Sequence, residues 1–197
     1  MTRTEDDVED RQDMTTEVRL PDADATRAWG RALAGVLRAG DLVVLTGGLG
    51  AGKTTLTQGL GEGLQVRGQV ASPTFVIARE HPPLPRPDGT RGPGLVHVDA
   101  YRLGSLDEVE ALDLESSLDE AVTVVEWGAG WVEGIADDRL ELHLDRPHGG
   151  VGTDVEDAAA GERVLTVRAV GDRWQGVGLP PAPSSDGTSS HEKEDAR

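Results

Sequence analysis

Nine consecutive residues, GGLGAGKTT at positions 47–55, are the part of the sequence best suited to bind a charged ligand. Gly47, Gly52, Lys53 and Thr54 fill the spacing G-x-x-x-x-G-K-[ST]. Glycines in this pattern let backbone N–H groups point inward around phosphate oxygens, and the amino end of a following helix adds positive potential. The ammonium of Lys53 would reach the outer phosphates, and the hydroxyl of Thr54 is placed to bind magnesium. We call residues 47–55 the phosphate loop.

Lysine is rare in this chain, which makes its presence in the phosphate loop informative. The sequence has 17 arginines and two lysines, Lys53 and Lys193. The broad planar guanidinium of arginine cannot replace a slim ammonium beside a phosphate loop. The lysine within this glycine spacing therefore favours a phosphate site over a glycine-rich structural turn.

Two acidic residues directly follow short apolar runs that are typical of buried strands. Asp99 follows LVHV, and Glu126 follows AVTVV. Ligands of parallel sheets bind beyond the carboxyl ends of the strands, where both acids are expected. The pair can hold magnesium directly or through water, or orient an attacking water. The alternative is that each acid merely ends its strand at the surface.

Several neighbouring side chains have two interpretations each. Thr74, in the segment SPTF, either senses the outermost phosphate or its metal, or is an ordinary polar strand residue. Trp127 either packs in the core or covers a nucleotide. His97 lies two residues before the first acid and shares its face, either as a partner of the site or as a satisfied core histidine. Tyr101 and Arg102 are expected to line the same cleft, and the five histidines show no metal-binding spacing.

The elements that would position these residues can be read from apolar spacing. Apolar residues three and four apart predict a helix from Asp24, capped by Asp22 or Asp24 and ended by Gly40. DLVVLT at 41–46 is typical of a strand buried on both faces, and leucines four apart from Leu56 predict a second helix. The phosphate loop therefore joins a strand to a helix.

The rest of the sequence predicts further strands alternating with helices, which indicates an α/β fold with a mainly parallel central sheet. Strands are predicted at 95–99, 121–127, 139–145 and 163–171, extended structure at 70–78, a helix at 105–118, and long loops at 81–94 and 146–162.

Composition indicates one folded domain with polar ends. We predict a disordered acidic tail at 1–16, a domain at 17–175 and a disordered polar tail at 176–197. The net charge of -17 disfavours strong direct binding to nucleic acid, and the absence of cysteine excludes disulfides and thiolate sites. No apolar run approaches the roughly 20 residues that span a bilayer, and the amino terminus has no signal-peptide core, so we expect a cytoplasmic protein that does not enter the membrane.

Taken in order, GGLGAGKTT, SPTF, HVDAYRL and VEWG resemble the TsaE family (YjeE-like), the bacterial ATPase component in the synthesis of threonylcarbamoyladenosine in tRNA. The resemblance covers roughly residues 17–170. It implies a P-loop NTPase-like three-layer fold, ATP with Mg²⁺ as ligands, and assembly with the TsaD and TsaB proteins. It implies phosphate binding by Leu49, Gly50, Ala51, Gly52, Lys53, Thr54 and Thr55, metal binding by Thr54, Glu126 and Asp99, and catalytic roles for Lys53, Thr74, Asp99 and Glu126.

The sequence departs from the family pattern at some positions. Gly48 stands where the family usually has an aspartate, and Ala100 stands where it has a larger aliphatic residue. The loop at 81–94 is longer than the resemblance implies, and both tails are additional. Neither substituted position carries the expected chemistry.

These observations favour an ATPase that acts on a partner complex and is slow alone, because part of its site awaits the partner. The alternative is a small-molecule kinase in which Arg79, Arg86 and Arg91 form a lid over the phosphates. A GTP-driven switch is disfavoured because the chain has no asparagine for the guanine-reading N-K-x-D motif. A scaffold without hydrolysis is disfavoured because Lys53, Thr54, Asp99 and Glu126 are retained together.

Overall fold

The computed structural model describes residues 13–72, 78–102, 119–130, 132, 134–146 and 161–183. These residues form two α-helices and a seven-stranded sheet. The helices are α1 (Ala23–Leu33) and α2 (Lys53–Leu64), and the strands are β1 (Met14–Leu20), β2 (Leu42–Gly47), β3 (Ala78–His81), β4 (Gly94–Asp99), β5 (Ala121–Glu126), β6 (Arg139–Asp145) and β7 (Arg163–Val170).

The strand order is β1-β7-β6-β2-β5-β4-β3. The four central strands β6, β2, β5 and β4 are parallel, whereas β3, β7 and β1 join antiparallel at the two sides. The predicted α/β class is confirmed, and the sheet is mixed, with its parallel part in the middle. Because β2 runs parallel to its neighbours β5 and β6, the carboxyl ends of these strands lie at one edge of the sheet.

Both helices pack on the same face of the sheet. Leu45, Val124 and Leu142 point into the core beneath α1 and α2. The opposite face buries a second cluster that includes Val44 and Val98. β2 is therefore apolar on both faces, as its sequence predicts. The helix predicted at 105–118 lies outside the described residues.

Glycines bring the two helices unusually close together. A Cβ on Gly59 would lie 2.0 Å from the backbone oxygen of Arg27, and one on Gly63 would lie 2.5 Å from that of Arg31. Gly30 faces the backbone of α2 in the same way, with a Cβ contact of 2.3 Å. The backbones of α1 and α2 therefore pack directly against each other.

The predicted start of α1 is confirmed, but its predicted end is wrong. The Asp22 carboxylate accepts a hydrogen bond of 2.7 Å from the backbone N–H of Ala25, as an N-cap does. The helix ends at Leu33, before Gly40. Gly40 instead donates its N–H to the Ala121 carbonyl at 3.1 Å, which joins this connection to the start of β5. Turns that follow Leu33 bring the chain to that contact.

Strands β2, β4, β5, β6 and β7 lie where the sequence predicts them, but β1 and β3 were not predicted. β1 begins at Met14, before the predicted domain boundary at residue 17. β3 begins only at Ala78, and residues 73–77 of the predicted extended segment lie outside the described residues.

The folded part also extends beyond the predicted boundary at residue 175. Val177 and Leu179 pack against the main core, and the Pro180 carbonyl accepts a 3.0 Å hydrogen bond from the Trp29 indole N–H. The segment at 176–183 is held because its few apolar side chains cover α1. We call it the C-terminal strap.

Candidate functional site

The phosphate loop links the carboxyl end of β2 to the amino end of α2. Gly47, Gly50 and Gly52 have φ values of 136°, 74° and 111°, a region that favours glycine. Gly52 is also the N-cap of α2, and among the described residues no side chain caps this helix end. The first turn of α2 contains no acidic residue. Its N–H groups are therefore available to an anion.

Lys53 turns back over the phosphate loop. Its Nζ donates to the carbonyls of Gly47 at 2.9 Å and Gly48 at 3.0 Å, and it lies 3.8 Å from the ring centroid of Trp127. The side chain is buried, and this burial lowers the pKa of the ammonium, although the carboxylates of Glu126 and Asp99 oppose the shift. The ammonium is held by weak neutral partners that a phosphate can replace.

Thr54 and Glu126 connect the phosphate loop to β5. The Thr54 hydroxyl donates to Glu126 Oε1 at 3.1 Å and lies 3.4 Å from Oε2. Glu126 is only 3 % exposed, and its Oε1 also lies 2.9 Å from Nε2 of His97 on β4. The His97 side chain is fully buried. A hydroxyl, a carboxylate and an imidazole thus form one hydrogen-bonded chain under the amino end of α2.

Asp99 lies beside Glu126 on the neighbouring strand. The two residues are paired in register across β4 and β5. Both carboxylates raise the pKa of the Lys53 ammonium, against the larger effect of burial. Asp99 Oδ1 accepts a 3.1 Å hydrogen bond from the backbone N–H of Tyr101. The structure therefore brings the two acids to the same edge as the phosphate loop, as the sequence predicts.

Trp127 covers the lysine and is not a core residue. Its backbone has a φ of 63°, uncommon for a residue other than glycine, and its N–H donates to the Leu45 carbonyl at 2.9 Å. The Tyr101 ring, 70 % exposed, lies 5.3 Å from the Trp127 ring. Leu49 at the tip of the loop is almost fully exposed. These residues form an aromatic and apolar rim at the mouth of the site.

Other predicted site residues lie either outside the described residues or away from the phosphate loop. Thr74 lies outside the described residues, as does the side chain of Arg102. The connection that carries Arg86 and Arg91 bonds to the carboxyl end of α2, where Leu84 donates to the Gln65 carbonyl. Because α2 is about 18 Å long, these two arginines do not cover the phosphate loop.

Comparison with known proteins identifies the family. The sequence model described as "Threonylcarbamoyl adenosine biosynthesis protein TsaE" matches residues 20–151. The chain belongs to the TsaE family. Proteins of this family act in the biosynthesis of threonylcarbamoyladenosine in tRNA, which makes this a chain of that pathway.

Relatives cover most of this TsaE-family chain. A "tRNA threonylcarbamoyladenosine biosynthesis protein TsaE" from Streptomyces coelicolor is 59% identical over 75% of this chain and 93% of its own length. A protein of the same name from Bacillus subtilis is 35% identical over 80% and 87%. The crystal structure of Bacillus subtilis YdiB matches with a TM-score of 0.59 and 30% identity over 84% of this chain and 93% of that one. In the described part of the chain, no helix is long and apolar enough to cross a membrane.

Proposed function

We propose that this chain binds ATP with Mg²⁺ and hydrolyses the ATP in the cytoplasm to support the TsaD and TsaB proteins in forming threonylcarbamoyladenosine in tRNA. The observation that carries the proposal is the 3.1 Å contact between Thr54 and Glu126, which joins the phosphate loop to an acid on the adjacent strand. A hydroxyl and a carboxylate meeting beside a phosphate loop form a site for a nucleotide and its metal. Family membership supports the pathway.

The donor set at the site fits Mg²⁺, which prefers oxygen ligands from one or two carboxylates together with substrate phosphates. Thr54 and Glu126 would hold the ion, with Asp99 nearby directly or through water. Among the described residues, no group of three or more histidine or acidic side chains converges to hold a metal by itself. When bound, Mg²⁺ supplies positive charge to the phosphate oxygens that become more negative as the terminal phosphate transfers to water.

Other residues of the chain bind and orient the nucleotide. The backbone N–H groups of residues 49–55 surround the phosphates, and Lys53 exchanges its two carbonyl partners for phosphate oxygens. Asp99 orients the attacking water, a task for which Thr74 is also proposed. Trp127 and Tyr101 limit access of bulk water from the rim.

The isolated chain is expected to hydrolyse ATP slowly. Fast P-loop enzymes commonly use a second cation besides the lysine of the phosphate loop to stabilise the transferring phosphate. The partner complex is proposed to complete the site.

The test measures ATP binding and phosphate release with and without TsaD and TsaB. We expect about a hundredfold or more stimulation of the wild type, a step of the size that one added electrostatic contact gives. Lys53→Ala should lose ATP binding, because the phosphates lose their ammonium partner. Glu126→Gln keeps its shape and should still bind ATP, but should lose about a hundredfold or more of the stimulated rate. Lys193→Ala, which removes the other lysine, is the matched control and should behave as wild type.

Two results would contradict the proposal. Equal phosphate release by Lys53→Ala and the wild type would mean that the phosphate loop is not the site of hydrolysis. Phosphoryl transfer to a nucleoside or sugar, with no release to water in the presence of the partners, would favour the small-molecule kinase instead.

A further inference from the structure

His97 is a fully buried histidine that the proposed reaction does not itself use. Its Nε2 lies 2.9 Å from Glu126 Oε1, and its Nδ1 has no hydrogen-bond partner among the described residues. A carboxylate oxygen accepts, so Nε2 carries the proton and donates. The imidazole is thus committed to one contact, with the acid proposed to hold Mg²⁺.

In the described part of the chain, two side chains donate to the Glu126 carboxylate, and the proposed function gives them different roles. The Thr54 hydroxyl is one donor, but its oxygen is also a proposed metal ligand. His97 lies on β4, whereas Thr54 lies on α2, and His97 has no proposed role as a metal ligand. It is therefore the donor able to hold the carboxylate while Thr54 binds the ion. Carboxylates that bind metals are usually oriented by hydrogen bonds of this kind.

We infer that His97 is a positioning residue, whose Nε2–H holds Glu126 in the orientation that admits Mg²⁺ together with the nucleotide. The inference rests on the proposed function of the site. It assigns His97 to the loading of the metal and not to contact with the nucleotide. Nucleotide binding without Mg²⁺ should therefore be independent of His97.

His81 shows what a buried histidine without this role looks like and supplies a control. It lies on β3, is 4 % exposed, and its Nδ1 is 3.3 Å from the Arg67 carbonyl. Its described hydrogen bond is to the backbone and not to an acid of the site. His81→Gln removes a buried imidazole from the same side of the sheet and leaves the Glu126 contact in place.

The experiment compares His97→Gln with His97→Asn in the full chain. A glutamine amide N–H takes the place of Nε2, whereas the shorter asparagine places its N–H where Nδ1 was and cannot reach Glu126. The dissociation constant of a fluorescent ADP analogue is measured in EDTA and over a series of Mg²⁺ concentrations. Thermal unfolding confirms that each variant folds.

We expect every variant to bind the analogue in EDTA within about twofold of the wild type, because the phosphate loop is unchanged. His97→Asn should need about tenfold more Mg²⁺ for the half-maximal gain in affinity, the size of effect seen when a residue orienting a metal ligand is removed. His97→Gln should stay within about threefold of the wild type, and His81→Gln should match it.

Equal Mg²⁺ dependence in His97→Asn and the wild type would overturn the inference. So would equal loss in the glutamine and asparagine variants, since that result indicates a packing role. A wild-type chain whose nucleotide affinity does not respond to Mg²⁺ would instead overturn the proposed function, and the inference with it. A measurement that needs no variant is the ¹⁵N spectrum of His97. It should show the Nε2–H tautomer both with and without Mg²⁺ and ADP, and loss of that proton on binding would also overturn the inference.

Discussion

The Lys53 ammonium occupies a narrow space that is too small for a guanidinium. Two loop carbonyls lie on one side and the face of Trp127 on the other, with 5 % of the residue exposed. A guanidinium would need room for a planar group with three nitrogens. This narrow space explains in physical terms why a chain rich in arginine has a lysine at position 53.

The phosphate loop contains two adjacent glycines, and substitution should destabilise the protein at one of them but not at the other. Gly47 has a φ of 136°, and a Cβ would lie 2.2 Å from the Leu144 carbonyl oxygen. Gly47→Ala should therefore lower the free energy of unfolding by about 2 kcal/mol or more, or roughly 4–8 °C in thermal unfolding followed by circular dichroism. It should also weaken ATP binding, because β2 and β6 must separate.

Gly48 supplies the matched control for that prediction. A Cβ there would have no described neighbour within 4 Å, and its φ is not positive. Gly48→Ala and Gly48→Asp should unfold within about 1 °C of the wild type, since open surface positions rarely change stability by more than ±0.5 kcal/mol. The aspartate variant carries the residue that the resemblance to the family implies at this position. Similar losses at both positions would show that the Leu144 contact does not decide the effect.

At the scale of elements, the contact between α1 and α2 depends on residues that look unfavourable in a helix. Glycine costs about 1 kcal/mol relative to alanine in a helix interior. Gly59 and Gly63, four residues apart on α2, nevertheless face the α1 backbone directly. These two glycines let the backbones of α1 and α2 approach closely. This contact fixes the position of α2, the helix that begins at the phosphate loop.

Gly59→Ala should destabilise the protein although it raises helix propensity. Its Cβ would lie 2.0 Å from the Arg27 carbonyl oxygen, so the helices must move apart, and overpacking of this kind costs about 1–3 kcal/mol. Chemical denaturation should show a lower midpoint with an unchanged slope. Gly134→Ala is the control, because no described atom lies within 4 Å of its Cβ and its φ is not positive. A more stable Gly59→Ala would show that propensity outweighs the contact.

The elements that the sequence predicts well are those whose pattern is local. β2 and α2 follow from a continuous apolar run, a glycine turn and leucines four apart, and the structure has both. β1 was missed because only Val18 and Leu20 of its seven residues are buried. β3 was missed because it is short, and only His81 of its four residues is buried, which gives no apolar alternation along the sequence.

The residues of the candidate site also fall into two groups: those whose positions the sequence predicts and those whose contacts it does not. The positions of Lys53, Asp99 and Glu126 at one sheet edge follow from motif spacing and from the rule that parallel strands end together. The bond from His97 to Glu126 depends on which strands are neighbours and in which register, and the sequence left that histidine undecided. The positive φ of Trp127, which brings its ring over the lysine, has no local sequence signal.

At the scale of the whole molecule, the C-terminal region secures the side of the domain away from β3. Arg173 donates through Nε and a terminal nitrogen to the Asp41 carboxylate, at 3.0 Å each, and to the Val36 carbonyl at 2.8 Å. Trp174 is buried in the main core. The C-terminal strap continues from this anchor to Trp29 on α1.

Truncation should show where the domain ends. A chain that stops after Gln175 loses the strap, including the partial burial of Val177 and Leu179 and the hydrogen bond from Trp29. It should unfold about 4–8 °C below the full chain, equivalent to about 2 kcal/mol. A chain that stops after Pro183 keeps the strap and should match the full chain. Equal unfolding temperatures for both truncations would contradict a structural role for the strap.

The pairing of β1 with β7 has a consequence for how the protein is made. Leu20 lies opposite Arg163, so the first strand has no partner until 143 further residues have been added. At ribosomal rates of about 5–20 residues per second, that interval is roughly 7–30 s. The nascent chain can meanwhile join β2, β5 and β4 with α2, which makes the part that carries the phosphate loop the earlier to assemble. Closure of the sheet by its outermost strand is therefore a step that follows synthesis of β7.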